Sequence, residues 1–243
     1  MKLWQDVSGN GQLNLTGGIF LFQGTAKTFS GAISVQSGAR FLVGANFNSS
    51  SIAVNVESGG RLVGLNGTLG GAGSSVVVAN GGVLSASNAE TSGIFTVGGN
   101  LTLESGSLTN LRVNTETQYD RVSVSGLLSY GGELRFSLAE DLFQNSLETY
   151  SFDLFTGDLN TTGAFDLVSI YQEGVWVADL ATTDDRVWSS ESGQWLYSFD
   201  QDTGALQVAA VPEPGTIGLL VIALGAGVVL ARRRNTAALS EVR

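Results

Sequence analysis

The sequence predicts an all-β protein: a right-handed parallel β-solenoid (β-helix) with a β-rich C-terminal cap, followed by a single transmembrane helix. Three observations carry this. Glycine supplies 33 of 243 residues, about twice its usual ~7% share, and it recurs in register with alternating apolar residues. Charged residues make up 14% of the chain and hydrophobic residues 43%, which leaves ample apolar surface for a core but few charges between strands. Near the C-terminus, sixteen consecutive uncharged residues are followed at once by three arginines.

The repeat comes first. It reads Ile33-Ser34-Val35-Gln36-Ser37-Gly38, then Val54-Asn55-Val56-Glu57-Ser58-Gly59, Val76-Val77-Val78-Ala79-Asn80-Gly81 and Leu101-Thr102-Leu103-Glu104-Ser105-Gly106. A looser continuation is Val122-Ser123-Val124, with Gly131-Gly132 leading into residues 133–138. Alternation at period two marks strands, and each closing glycine supplies a turn that needs positive φ. Successive glycines stand 21, 22 and 25 residues apart. That period, without helical segments, fits one coil of a solenoid whose neighbours stack at ~4.8 Å and share a core. A β-sandwich with strands every 8–12 residues would read similarly; the glycine register favours the solenoid. These repeats occupy residues 1–140.

Beyond Glu140 glycine thins and acids accumulate. Tyr150, Phe152 and Leu154 share one face of a strand, as do Trp195, Tyr197 and Phe199. Residues 141–208 are read as capping strands or a small terminal β-domain that closes the solenoid edge.

Both prolines of the chain fall in residues 209–215, in Val211-Pro212-Glu213-Pro214-Gly215. Proline favours an extended, non-helical linker here. Thr216 opens and Ala231 closes the uncharged run, which as a helix would span roughly 24 Å. That is slightly short of a ~30 Å hydrocarbon core, a mismatch met by bilayer thinning and snorkelling. No polar face remains on it, and nothing else in the chain is helical enough to surround it. Residues 216–231 therefore read as a membrane span in contact with lipid. Arg232, Arg233 and Arg234 mark the cytoplasmic side, so residues 232–243 form a basic cytoplasmic tail and the body lies on the opposite side.

This order of Pro-Glu-Pro, apolar span and arginine cluster resembles the PEP-CTERM sorting signal. The resemblance implies export, transient anchoring in the inner membrane with the body on the periplasmic side, and processing near Pro212, Glu213 and Pro214 by an exosortase-type protease. It further implies delivery to the cell surface or the extracellular, biofilm-associated matrix, with extracellular polysaccharide as a further partner. Gly98-Gly99-Asn100-Leu101-Thr102-Leu103-Glu104-Ser105-Gly106-Ser107 and Gln118-Tyr119-Asp120-Arg121-Val122-Ser123-Val124-Ser125-Gly126 are similar to autotransporter-associated β-strand repeats. Those repeats are passenger-like parallel β-helices, and they imply scaffolding or adhesion with no catalytic residues. Exported proteins carry a signal peptide, and Met1-Lys2-Leu3-Trp4-Gln5-Asp6 is not followed by its apolar core. The expectation is a true start upstream of Met1.

Composition also narrows the chemistry. The chain has no cysteine and no histidine, so disulfides, thiol chemistry and histidine-based triads are excluded. Its net charge is −10, and residues 104–210 hold seventeen acids against Arg112, Arg121, Arg135 and Arg186. An acidic body repels phosphate backbones, so no nucleic-acid partner is expected.

Carboxylate pairs are the remaining catalytic candidates. Glu140/Asp141 and Asp184/Asp185 are adjacent and would point to opposite faces of a strand, whereas glycosidic cleavage wants facing carboxyls. No pair stands out, and the expectation is a protein that is not an enzyme. Asp153, Asp158, Asp166, Asp184, Asp185, Asp200 and Asp202 could offer oxygens to calcium, but no calcium-loop motif occurs, so no metal or other cofactor is expected. Residues 64–73 are glycine-rich yet lack the Gly-Lys-Ser/Thr ending of a phosphate loop and read as a repeat turn. Tyr171, Trp176, Trp188, Trp195 and Tyr197 could form a platform for sugar rings. Trp176 stands among Val175, Val177 and Leu180, which favours core packing. Asn14, Asn48, Asn66, Asn100 and Asn160 lie in Asn-x-Ser/Thr sequences and read as turn and ladder residues. The sequence thus describes a structural or adhesive surface protein; the alternative is a β-helix that binds or cleaves polysaccharide.

Overall fold

The computed structural model describes residues 2–3, 8–23, 28–47, 49–88, 92–140, 142–143, 148–182 and 186–211. Regular structure among these residues is all strand. The expected linker and span, apart from its first residues, lie outside them.

The repeat unit forms strands because one side of its alternation has somewhere to go. In Ala53–Val56, Val54 and Val56 are buried while Ala53 and Asn55 face solvent. Ser75–Val78 and Asn100–Leu103 follow the same pattern. Pairing is parallel and in register, so Ile33, Val54, Val76, Leu101 and Leu128 stack as one column in a seven-stranded sheet. Each column residue covers the apolar surface of the one below, which contributes roughly 1.5–3 kcal/mol per side chain.

Each coil then turns at its glycine. Gly38, Gly59, Gly81 and Gly106 adopt φ of 78°, 75°, 75° and 76°, as the sequence predicts. The turns also bond to each other: the N–H groups of Gly38, Gly59 and Gly81 donate to the carbonyls of Gly59, Gly81 and Gly106 at 3.1, 2.9 and 2.9 Å. After the turn the chain enters a thirteen-stranded sheet through Ala39–Val43, Arg61–Gly64, Val83–Ser85 and Leu108–Val113. A five-stranded sheet built of Asn46–Phe47, Thr68–Leu69, Ile94–Val97, Arg121–Val124 and Phe155–Gly157 completes the circuit. The three sheets enclose one apolar core, in which Phe22 meets Phe41 edge-on at 4.9 Å. This parallel, three-sheet stacking decides for the solenoid over the sandwich.

The composition shift near residue 140 marks a detour. After Glu133–Leu138 the chain leaves the stack and lays Thr149–Asp153 antiparallel to Ala205–Ala210. It returns for a further coil, Phe155–Gly157, Asn160–Gly163 and Leu167–Gln172, each parallel to the strand below. The detour explains why Glu133 pairs with Leu167, 34 residues on, although Leu108 and Glu133 are only 25 apart. An antiparallel meander of Val175–Thr182, Val187–Ser192, Trp195–Asp200 and Ala205–Ala210 follows.

This meander covers the end of the core. Phe199 is fully buried and packs against Phe136, Phe155 and Phe165 at 5.4, 6.1 and 6.2 Å. Buried Gln201 fixes its position, since its Oε1 accepts from the Phe165 backbone N–H at 3.1 Å and the Trp188 indole N–H at 2.8 Å. The Tyr130 hydroxyl donates to the Gln201 carbonyl at 3.2 Å, and burial raises its pKa. The meander thus shields the apolar core at this end, while Asn160–Gly163 and Phe155–Gly157 stay the terminal strands of their sheets.

Candidate functional site

Two regions are candidates: the junction where the folded body meets the C-terminal tail, and the outer surface of the thirteen-stranded sheet. At the junction, Val211 ends the described chain directly after Ala205–Ala210, and its N–H donates to the Gln194 carbonyl at 2.8 Å. Pro212, Glu213, Pro214, Thr216, Ala231, Arg232, Arg233 and Arg234 lie outside the described residues.

On the outer surface, alternation again decides orientation. Phe41 and Leu62 point inward, so their neighbours Arg40 and Arg61 point out and are exposed. Parallel register then sets Arg40 directly beside Arg61. One column over, Leu42, Val63, Ser85, Asn110, Arg135 and Ser169 follow each other across successive strands. A cavity of about 170 Å³ opens over Arg40, Arg61, Ser85 and Asn110.

Asp120 forms the inner wall of this cavity. It is 1% exposed and accepts from the backbone N–H groups of Gly93 at 3.1 Å and Arg112 at 3.0 Å. The Arg112 guanidinium stands 3.8 Å away and also donates to Ser87 and to the Asn88 carbonyl. Burial outweighs these donors and raises the Asp120 pKa above the ordinary 3.8. The cluster bonds residues of two successive coils to one another at a corner of the solenoid. Both carboxylate oxygens of Asp120 accept from backbone N–H groups, which is a structural role.

Farther along the same sheet the Arg135 guanidinium lies over the Tyr171 ring, 4.4 Å from its centroid, while bonding Glu133 at 2.9 Å. Tyr171 pairs across the hairpin with Trp176. Trp176 does not join the core as its apolar neighbours suggest: it is 55% exposed, beside Val175 at 68%. A register shift at Ile170/Tyr171 displaces the alternation and turns Trp176 outward, where its indole N–H donates to Asp179 at 2.9 Å. Trp188 and Tyr197 are buried, and Trp195 packs on Phe143 and Tyr150. Of the five aromatic candidates, only Tyr171 and Trp176 share this outer surface.

The acids disperse into structural tasks. Asp166 accepts from Ser105 Oγ at 2.8 Å and from the N–H groups of Gly106 and Gly132 at 3.2 and 3.1 Å, tying successive coils together. Asp202 pairs with Arg186, and Asp200 accepts from the Asp202 N–H at 2.8 Å. Asp141, Asp184 and Asp185 lie outside the described residues. Among the described residues no three acids converge as metal ligands would. Among the asparagines, Asn66 takes a turn at φ 60° and accepts from the Ile94 N–H, and Asn100 accepts from the Leu127 N–H at 2.8 Å.

Sequence reasoning missed Arg40 and Arg61 as a pair. Their 21-residue spacing, equal to one coil, was the signal available. Comparison with known families identifies one region: the PEP-CTERM protein-sorting motif matches residues 210–234. No curated protein matches the chain significantly. The motif implies exosortase-dependent sorting of an exported protein that is transiently anchored in the membrane.

Proposed function

From the sorting motif at residues 210–234, we propose that the chain is a non-catalytic structural or adhesive component of the cell surface or extracellular matrix. The body is carried on the periplasmic side of the inner membrane and is released by cleavage near Pro212, Glu213 and Pro214. One observation carries this reading: the motif begins at the last residue of the capping meander, where Val211 still bonds to Gln194. Cleavage there would remove the tail without touching a strand of the folded body. The single-core solenoid, whose apolar end is shielded by Phe199 and the meander, further supports a load-bearing or displaying role.

The test is processing itself. The chain, given an upstream signal peptide, is expressed in a host with an exosortase, fractionated and weighed as intact protein. Loss of the mass from about Pro214 onward, with the body in the envelope or medium, is the expected result. An uncut protein resident in the inner membrane would overturn the release step.

A further inference from the structure

We infer that the outer surface of the thirteen-stranded sheet, from Arg40 to Trp176, binds a linear acidic polysaccharide. This deepens the adhesive reading above and rests on it. The first observation is the Arg40–Arg61 pair. Like charges directly opposite on neighbouring strands repel, and among the described residues neither guanidinium has a carboxylate partner. The body is acidic overall, with net charge −10 for the whole chain, yet the acids at this surface are engaged by other groups: Asp120, which lines the cavity, accepts from two backbone N–H groups, and Glu133 bonds Arg135 and Ser169. Two unneutralised guanidiniums at the mouth of a cavity are a site for an anionic group, and Arg presents the fork geometry that carboxylate and sulfate accept.

The second observation is what surrounds them. Ser85 and Asn110 line the same cavity and offer neutral donors and acceptors suited to hydroxyl groups. Farther along the sheet stands Trp176, exposed, with its orientation held by Asp179, beside Tyr171 and its stacked Arg135. A flat aromatic face with a polar tip suits the apolar face of a sugar ring. Six strand steps separate the Arg40 strand from the Trp176 strand, which at ~4.8 Å per step is roughly 29 Å. An extended polymer of several sugar units can reach both ends. A nucleic acid fits less well, because its dense phosphates would meet only two free guanidiniums on an otherwise acidic protein.

The full chain in detergent micelles is titrated calorimetrically with a polyuronate oligosaccharide, with a neutral glucan of equal length, and with single-stranded DNA of equal charge. Polyuronate is expected to bind in a salt-sensitive manner, and the glucan at least about tenfold more weakly. R40Q/R61Q should weaken polyuronate binding roughly tenfold for each guanidinium lost. W176A should weaken it at low and high salt alike. All three side chains are exposed, so an unchanged melting temperature verifies folding, and R40A/R61A serves if R40Q/R61Q does not fold. Unchanged affinity in R40Q/R61Q overturns the site. Equal binding of DNA together with no effect of W176A also overturns it, reducing the surface to an unspecific anion contact. The same variants are followed in the exosortase host. Normal tail removal without polyuronate binding sinks this inference and leaves sorting intact; binding without tail removal does the reverse.

Discussion

Gly59 donates its backbone N–H to the carbonyl of Gly81 at 2.9 Å, one coil away, and both residues hold φ of 75°. The bond is possible only because both turns adopt the same left-handed conformation, so that successive corners superimpose. A Cβ at Gly81 would lie 2.4 Å from Ser58 Oγ of the neighbouring coil, whereas one at Gly174, also at positive φ, would meet nothing within 4 Å. The two glycines thus separate conformational cost from crowding.

Gly174→Ala should cost about 1–2 kcal/mol, the left-handed penalty alone. Gly81→Ala should cost more, because Ser58 in the turn of the preceding coil must also move. Chemical denaturation of both variants measures the difference. Equal losses would show that crowding between coils contributes nothing.

Asp120 should couple stability to pH. Its carboxyl is held above the ordinary 3.8 by burial, so the folded state binds a proton more readily than the unfolded one. Its contribution is complete below the unfolded pKa and is lost as pH rises through the folded pKa. Asp120→Ala should therefore flatten the stability profile on the acid side. At neutral pH it should also cost about 1–3 kcal/mol, since the Gly93 and Arg112 N–H groups lose their acceptor. Urea midpoints from pH 3.5 to 7 would reveal both effects, and parallel profiles for the two proteins would refute the coupling.

Gln201→Ala should loosen the cap selectively. It strands the buried Phe165 N–H and the Trp188 indole N–H, at about 1–3 kcal/mol for each unsatisfied donor. Hydrogen exchange should rise across the meander while Ala53–Val56, Ser75–Val78 and Asn100–Leu103 remain protected. Uniform exchange over the whole body would argue that the cap and the solenoid unfold as one unit.

Phe199 and Trp176 should behave oppositely despite similar size. Phe199→Ala empties a fully buried site among three aromatic rings and should cost about 3–5 kcal/mol. Trp176→Ala, on the outer surface, should stay within about 0.5 kcal/mol. Thermal melts of the two variants decide the matter.

Replacing Pro212, Glu213 and Pro214 together with alanine should leave the body folded and the tail attached. Intact mass after expression with an exosortase reports the second point, and circular dichroism of the body the first. Release of the body from this variant would mean that cleavage does not depend on the motif.

The alternating apolar residues and the glycine spacing by themselves determined the strands, the turns and the coil repeat. Both signals are local: alternation follows from the pleat of one strand, and positive φ follows from one residue's lack of a Cβ. The tail was legible for the same reason, since Pro-Glu-Pro, an uncharged run and an arginine cluster need no partner to be recognised, and the motif match at residues 210–234 agrees. The tertiary structure decided what depends on register between distant segments. It placed a detour at Thr149–Asp153 and then a further coil through Leu167–Gln172, because the strand that leaves finds its partner only at Ala205–Ala210. A shift of register at Ile170/Tyr171 turned Trp176 outward against its apolar surroundings. The same register brought Arg40 beside Arg61. Side-chain orientation in a strand reverses with a slip of one residue, and only pairing between coils fixes it.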